Sequence, residues 1–507
     1  MKDPVLSWND DLGLCRQEAA GHTVPVAKLP LVHNGVITAN HLCVLAQHGL
    51  LDETRTLAAL RAFRAMQEGP ASERPGCLRW YWEEPAPVDT NASFFIGLAL
   101  QMLYLAERER LSPPVLAAIR EIVGGLAVWF GRELVEANPR YPNKCLGDLA
   151  CSWLATEILE QPPSAQLLQT TRDWCDYWRR EKWGWGEHMS DIYAKVLLLE
   201  LSAVLLYCHN LPRDIYGLFK AHFDDLLAIE DAYGEGPRVP VIRSYAFTES
   251  PPVQPFRACI SPAPARDTDR DGGPPPIIIQ APAAVLGPWL LRAGWAELAG
   301  PQRAAQAWLE TPCRAGTVAR AMVRQNLRVG AMSAYPVMAG VDHQNWGLSW
   351  QTFPAALWRT AGDWAFWRWT TREGERVRAH PALDLRSAYL GNALAARVDP
   401  PPVPRMSATL TRDGHLCMER MLPLPAEAKW DEVSDEFHLL NSDAKVALQE
   451  GALVVHWPDA TVRVRWLGEE TIAWESADRG GRWVVRYTPA QLTGRDALVH
   501  RWELFVG

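Results

Sequence analysis

Short polar clusters stand at the start of several apolar segments, and their residue types suit proton transfer beside a carboxylate. Four clusters recur about 50 residues apart, at Asn40, Asn91, Asn143 and His188, and a fifth step of this size reaches Arg243 and Tyr245. Amide and guanidinium groups hydrogen-bond a carboxylate, whereas His and Tyr side chains transfer protons. The set therefore suits removal of the weakly acidic C5 proton of a uronic acid, followed by loss of the O4 leaving group.

The segment GEHMSDIY places His188 and Tyr193 five residues apart, so they can share a site on a helix or its first turn. Each residue also has a purely structural interpretation. Asn91 and Asn143 can be helix N-caps, a role that Asn favours, and His188 can be a buried structural histidine. Asp191 can orient His188 or cap the helix that follows.

Aromatic residues accompany two of these clusters and favour a sugar-binding wall. Trp80 and Trp82 precede Asn91, and Trp185 precedes His188. A further segment at 341–369 holds six tryptophans beside His343 and Asn345, which we take as additional substrate-binding candidates. The alternative for this segment is a tryptophan-rich core.

The repeat length equals two helices with their turns, so each period predicts one helical hairpin. Residues 1–325 are therefore expected to form an (α/α) toroid of stacked hairpins, with equivalent helix starts gathered at one rim. A proline-rich insertion at about 233–281 is either a flexible linker or an ordered active-site loop. Helices are expected to resume at 283–299 and 302–311.

Residues 326–507 have a different pattern, in which apolar and polar residues alternate with period two. Segments such as LVVHWP, TVRVRWL and RWVVRYT, separated by Gly, Asp and Pro, are typical of antiparallel strands. We expect a β-sandwich, because alternation of this kind suits sheets that pack on one face.

Composition limits the possible partners of this 507-residue chain. Its net charge of −8 argues against a nucleic-acid-binding protein, and no uninterrupted apolar run reaches the ~20 residues of a membrane span. The start MKDPVLSWNDD lacks an apolar signal region. We therefore expect a cytoplasmic protein, or a periplasmic or secreted one if a signal segment has been removed. The ten cysteines form no ligand cluster in the sequence and are expected to be buried thiols.

The predicted order of helical hairpins and then alternating strands resembles the toroid-plus-β-sandwich polysaccharide lyases, including the heparinase II/III-like and alginate lyase families. The sequence similarity lies in DTNASFF, GEHMSDIY and VDHQNWGLSWQTFPAALW. The resemblance implies that Asn91 neutralises the substrate carboxylate, and that His188 acts as a base or a second neutralising group. It also implies that Tyr193 or Tyr245 is the acid and that Arg243 binds substrate. The elimination itself requires no metal or organic cofactor, although a structural ion is compatible with it. Asn143 joins Trp80, Trp82, Trp185, His343 and Asn345 as a substrate-binding candidate.

Two other functions remain open at the level of the sequence. A glycoside hydrolase on a helical toroid needs two carboxylates, and Glu83, Glu84, Asp89, Glu187 and Asp191 lie on the predicted rim. A non-catalytic glycan-binding protein needs only the aromatic wall. The sequence does not identify the uronic acid, the linkage, the mode of cleavage or the oligomeric state.

Overall fold

The computed structural model divides the chain into two units. The first unit comprises residues 1–180, 195–228 and 256–302, and the second comprises 181–194, 229–255 and 303–507. The residues that the structure describes are 5–136, 138–184, 186–242, 244, 254–262, 277, 281–324, 326–334, 353–359, 362–374, 376–380, 405–424, 430–440, 442–467, 474–477 and 481–507.

The first unit is mainly helical, with a small antiparallel sheet at its start. The sheet has the strand order β1 (Leu6–Asn9), β2 (Leu14–Gln17), β3 (Val32–Asn34). The helices are α1 (Gly35–Gln47), α2 (Glu53–Met66), α3 (Ala92–Glu107), α4 (Pro113–Glu136), α5 (Pro142–Leu159), α6 (Ala165–Arg180), α7 (Tyr193–Tyr207), α8 (Arg213–Tyr233), α9 (Phe256–Cys259), α10 (Pro282–Arg292) and α11 (Trp295–Ala299). By the division above, α7 begins and α8 ends in residues of the second unit.

The helices of this unit lie in two layers that alternate along the chain. In the inner layer α1 contacts α3 and α3 contacts α5, and α7 follows, since the Cys208 thiol after α7 donates to the Trp153 carbonyl of α5. In the outer layer α2 contacts α4 and α4 contacts α6, while His222 of α8 donates from Nε2 to the Cys175 carbonyl of α6 at 2.9 Å. The predicted helical-hairpin domain is confirmed.

The sequence explains which helices become the inner layer. α3 is apolar on nearly all sides (ASFFIGLALQMLYLAE), so it can only be buried. α6 carries its apolar residues on one face and is buried on that face. α1 begins where the Asn34 side chain accepts the N–H of Ile37 at 3.1 Å, and α2 begins where Asp52 accepts the N–H of Arg55 at 2.8 Å.

α10 lies across the C-terminal ends of three inner helices. Gln47 at the end of α1 donates to the Val285 carbonyl at 2.7 Å, and Trp289 of α10 donates to Glu107 at the end of α3, also at 2.7 Å. Tyr207 at the end of α7 donates to the Trp289 carbonyl at 2.9 Å. α10 therefore covers this end of the inner layer. The starts of α3 and α5, next to Asn91 and Asn143, lie at the opposite end.

α4 is long and apolar enough to cross a membrane by length and composition, the one such helix in the described part of the chain. One of its faces, with Ile119, Leu126 and Phe130, is buried. It contacts α2, α3, α5 and α6, as a core helix does.

The second unit is built from antiparallel strands. They are β4 (Trp308–Pro312), β5 (Val318–Val323), β6 (Leu327–Met332), β7 (Ala355–Arg359), β8 (Trp364–Glu373), β9 (Arg376–His380), β10 (Arg405–Leu410), β11 (Leu416–Pro423), β12 (Glu432–Leu440), β13 (Lys445–Gln449), β14 (Ala452–His456), β15 (Thr461–Trp466), β16 (Glu475–Ala477), β17 (Arg482–Tyr487) and β18 (Ala497–Val506), with a short helix α12 (Pro489–Leu492). A nine-stranded sheet has the order β16-β17-β12-β8-β7-β6-β5-β4, with β9 beside β8, and a six-stranded sheet has the order β10-β11-β18-β15-β14-β13.

The two sheets share one hydrophobic core and form the predicted β-sandwich. Ala321, Val329 and Trp367 of the nine-stranded sheet lie in the same buried cluster as Val464 and Trp502 of the six-stranded sheet. Every second residue of β10 and β11 is buried, so the period-two alternation reflects one face on the core and one outside.

The structure differs from the sequence-based expectations in two places. No helix forms over 302–311, where β4 begins at Trp308. The boundary predicted between 325 and 326 falls inside the nine-stranded sheet, between β5 and β6.

Among the six tryptophans at 341–369, the four in described residues (Trp358, Trp364, Trp367 and Trp369) are buried, as the core interpretation of that segment requires.

Candidate active site

The starts of α3 and α5 are joined by one side-chain hydrogen bond. Asn91 occupies the N-cap position of α3, but its side chain makes no capping hydrogen bond. Its Nδ2 donates instead to the phenolic oxygen of Tyr141, 3.0 Å away, and Tyr141 is the N-cap residue of α5. Both residues are half-buried, so the pair adjoins solvent.

Asp89 anchors this pair to a histidine from the N-terminal segment. Its Oδ1 accepts the backbone N–H of Asn91 at 3.0 Å, and its Oδ2 lies 3.2 Å from Nε2 of His22. A carboxylate only accepts, so Nε2 of His22 carries the hydrogen. Nδ1 of the same ring lies 2.9 Å from the Tyr81 hydroxyl. The side chains of His22 and Asp89 are 32 % and 26 % exposed, so a ligand can reach them.

The turn RWYWEEP is fixed by a buried carboxylate. Glu84 is 1 % exposed, and its Oε2 accepts the backbone N–H groups of Trp80 and Tyr81 at 2.8 and 3.1 Å. Its Oε1 accepts the Thr23 hydroxyl. Burial raises the pKa of Glu84, and the bonds from Thr23 and the two N–H groups oppose that rise. Glu84 therefore shapes the turn that presents its aromatic residues.

Trp80 lies edge-on to His22, with ring centroids 4.4 Å apart and an interplanar angle of 86°. Its other neighbour is Phe95 of α3 at 5.6 Å. Trp80 and Trp82 are half-buried, as residues of a sugar-stacking wall would be. Beside Trp82, Glu83 pairs with Nδ1 of His33 at 2.6 Å.

Asn143 is not at the rim surface. It is the second residue of α5, after Pro142, and is 0 % exposed. The N-cap interpretation is wrong for Asn143, because Tyr141 holds that position.

His188 and Tyr193 belong to the second unit. His188 lies in a 3-10 turn (Glu187–Met189) and is 2 % exposed, with Nε2 3.2 Å from the Pro312 carbonyl. Tyr193 is half-buried at the start of α7, where its N–H donates to Ser190 Oγ at 3.0 Å. Asp191 accepts the Ser244 hydroxyl at 2.8 Å. These contacts suit the structural interpretation of His188.

Five predicted residues lie outside the described part of the chain: Trp185, Arg243, Tyr245, His343 and Asn345. Their roles stay predictions. The convergence of Asn91, in the first unit, with His188, in the second, also stays a prediction.

Sequence reasoning missed Tyr141 and His22. Tyr141 had a usable signal, because it stands directly before the Pro142-Asn143 pair that starts α5. No sequence signal pointed to His22, because it lies 67 residues before Asp89 and the two residues share no sequence motif.

No protein-family model matches this chain, and no curated protein matches it. Among the solved structures with some similarity is the endoglucanase CelQ from Clostridium thermocellum, complexed with cellotetraose. The two chains are 10 % identical, and the alignment covers 94 % of this chain and 84 % of that chain with a TM-score of 0.24. A similarity at this TM-score supports no conclusion about this chain.

Proposed function

We propose that the protein is a polysaccharide lyase that cleaves a uronic-acid-containing polysaccharide by β-elimination. The observation that supports this most directly is the Asn91–Tyr141 hydrogen bond, which brings a carboxylate-binding amide and a proton-transferring phenol together at a half-buried rim.

Asn91 is the residue we assign to the substrate carboxylate. Its amide has two N–H groups, one of which goes to Tyr141. Within the residues that the structure describes, the second N–H and Oδ1 have no protein partner. That N–H can donate to a carboxylate oxygen, and the positive end of the α3 dipole adds to the stabilisation of the enolate-like intermediate.

Tyr141 is the residue we assign to proton transfer. The N–H of Asn91 stabilises the phenolate, which is the form that accepts a proton. The phenolate takes the proton from C5, the C4–O4 bond breaks, and O4 leaves with a proton returned by the phenol. The product has a C4–C5 double bond conjugated with the carboxylate. No metal or organic cofactor takes part in this scheme.

Trp80 and Trp82 would supply the wall on which the sugar rings stack. Asp89 and His22 position Asn91 rather than touch the substrate. His188, Tyr193, Arg243 and Tyr245 remain further candidates from the sequence, with His188 the weakest because its ring is buried.

A glycoside hydrolase is the second candidate, because two carboxylates near the rim are partly exposed. The side chains of Glu83 and Asp89 are 23 % and 26 % exposed, and each pairs with a histidine. Inverting or retaining hydrolysis needs such a pair of carboxylates on either side of the glycosidic bond.

The deciding experiment incubates the protein with alginate, glucuronan, glycosaminoglycans, pectate and a neutral β-glucan. A lyase gives oligosaccharides that absorb in the ultraviolet through the conjugated double bond, and they are lighter by one water than hydrolysis products. New reducing ends without that absorption would overturn the proposal in favour of a hydrolase. Binding without any product would indicate a non-catalytic glycan-binding protein.

A further inference from the structure

The outer face of the six-stranded sheet carries three different metal-ligating side chains at one point. Cys417 of β11 and Glu503 of β18 are direct cross-strand partners. His415 stands two residues before Cys417 and therefore on the same face. Nε2 of His415, Sγ of Cys417 and a carboxylate oxygen of Glu503 all lie within 4.8 Å of one another.

The separations of the donor atoms fit a tetrahedral ion. His415 Nε2 is 2.8 Å from Glu503 Oε1 and 3.4 Å from Cys417 Sγ, and Sγ is 4.0 Å from Oε1. Ligands of tetrahedral Zn²⁺ at the usual bond lengths lie roughly 3.3–3.6 Å apart. Shifts of about half an ångström, within rotamer adjustment, would therefore place all three atoms around one ion.

The surrounding contacts fix two of the three donors. The ring of His415 stacks on Phe505 with centroids 4.3 Å apart and planes 9° apart. Nε of Arg465 donates to Glu503 Oε2 at 3.0 Å, which directs the other oxygen, Oε1, towards His415. The Arg465 guanidinium thus bonds Oε2 of Glu503, and Oε1 is the oxygen that would bind the ion.

Cys417 differs from the other cysteines of the chain. Nine of the ten are buried, whereas Cys417 is half-buried. The His415 side chain is 29 % exposed, so the three donors open towards solvent and leave room for a water as fourth ligand.

We propose that His415, Cys417 and Glu503 form a binding site for a divalent zinc-class ion. Imidazole, thiolate and carboxylate together suit Zn²⁺ better than Mg²⁺ or Ca²⁺, which prefer oxygen ligands alone. On binding, the Nε2 hydrogen of His415 moves through solvent to Nδ1 of the same ring, and the thiol proton of Cys417 is released to solvent. Nε2 of His415 and Oε1 of Glu503, which share a hydrogen bond in the unloaded site, then each bind the ion. The site is independent of the proposed lyase activity.

The first test titrates the reduced, chelator-treated full-length protein with Zn²⁺ by calorimetry and with Co²⁺ by absorption. We expect one ion per chain, and a near-ultraviolet thiolate-to-cobalt band. The Cys417→Ser and Glu503→Gln variants should each lose at least tenfold in affinity, and Cys417→Ser should lose the band. His456→Gln is the matched control, because His456 is an exposed histidine on β14 of the same sheet; it should bind as the unmodified protein does.

A second measurement does not depend on the folding of any variant. Iodoacetamide should alkylate Cys417 of the unmodified protein, and one equivalent of Zn²⁺ should slow that alkylation at least tenfold, as read from the peptide mass spectrum. Unchanged alkylation, or a cobalt band that persists in Cys417→Ser, would show that the three side chains form only a hydrogen-bonded cluster.

Discussion

The Asn91 amide donates to the Tyr141 hydroxyl at 3.0 Å and so links the start of α3 to the start of α5. An asparagine that acted only as a cap would bond the backbone of its own helix, and Asn91 does not. The amide is therefore available for a ligand that approaches the rim.

Under the proposed lyase mechanism, replacing Asn91 by Ala should lower kcat/KM on the polysaccharide that the protein cleaves by about 100-fold to 1,000-fold, the usual cost of removing one donor to a developing oxyanion. The Tm should change little, because Asn91 is half-buried and makes no cap bond. Steady-state kinetics and thermal melts check both points. Asn210→Ala is the control, since Asn210 is an exposed asparagine of the same unit. Full turnover in Asn91→Ala would remove Asn91 from the site.

Tyr141→Phe keeps the ring and removes the oxygen to which we assign proton transfer. We expect kcat to fall by about 100-fold to 10,000-fold, with a smaller change in KM because the stacking surface remains. Rates over a range of substrate concentrations separate the two constants. Tyr216→Phe, at a tyrosine of α8 that is 40 % exposed, should have the activity of the unmodified protein. A large rise in KM with an unchanged kcat would assign Tyr141 to binding alone.

Asp89 should act through Asn91, because its Oδ1 holds the backbone N–H of that residue. Asp89→Ala alone should reduce kcat about tenfold, whereas in an Asn91→Ala background it should reduce kcat hardly at all. Residues in one hydrogen-bonded network couple in this way. The kinetics of the two single variants and the double variant measure the coupling. Independent, multiplying effects would mean that Asp89 touches the substrate itself, as a hydrolase requires.

Local patterns made much of the fold predictable. The apolar stretch after Asn91 became the buried helix α3, and the alternation in TVRVRWL became β15, because helix and strand periodicities are properties of neighbouring residues. Short or weakly patterned elements were not predicted. β1–β3 span three or four residues each, and β4 begins at Trp308, where a helix was expected.

The candidate site was less predictable because its contacts are long-range. The predicted helix starts pointed to Asn91 directly. They also pointed to the segment around Asn143, which lies two residues after Tyr141. The pairing of His22 with Asp89 depends on where the N-terminal segment crosses the rim, which no local spacing encodes. Asn143 and His188 were predicted as site residues from their residue types and positions, but both side chains are buried in the structure. Burial of this kind depends on tertiary packing, which local sequence does not determine.

A buried ion-pair cluster between α4 and α5 should matter for stability. Nζ of Lys144 donates to Glu133 at 2.6 Å and to Asp148, which is 0 % exposed. Lys144→Met should cost about 3–5 kcal/mol, because it leaves a buried carboxylate without its cation. Lys220→Met is the control: its partner Asp224 is surface-exposed, so the expected cost is below about 1 kcal/mol. Denaturant unfolding measures the free energy of unfolding of both variants. Equal losses in the two variants would contradict the conclusion that the buried ion pairs of Lys144 stabilise the protein.

The two sheets of the sandwich are joined by a buried network around Asp435 of β12. Its oxygens accept Arg420 Nη1 of β11 and His500 Nδ1 of β18, each at 2.5 Å. Burial alone would raise the pKa of Asp435, but the charge of Arg420 and the bond from His500 outweigh it and hold that pKa below its ordinary value. A carboxyl whose pKa is lowered by folding stabilises the protein above its ordinary pKa of about 3.9, and this contribution is lost as the pH falls through the folded-state pKa.

Asp435→Asn should therefore lower the Tm strongly at pH 7, where it leaves Arg420 buried without a counter-charge, at a cost of about 3–5 kcal/mol. The difference from the unmodified protein should shrink as the pH falls from about 4 through the lowered folded-state pKa of Asp435. The carboxyl of the unmodified protein then binds a proton first in the unfolded state and finally in the folded state, where it loses the same charge. Thermal melts from pH 7 to pH 3 check this. The exposed Asp496, replaced by Asn, should follow the unmodified protein throughout. A Tm difference for Asp435→Asn that stays constant with pH would mean that lost packing, rather than the lost charge, destabilises the sandwich.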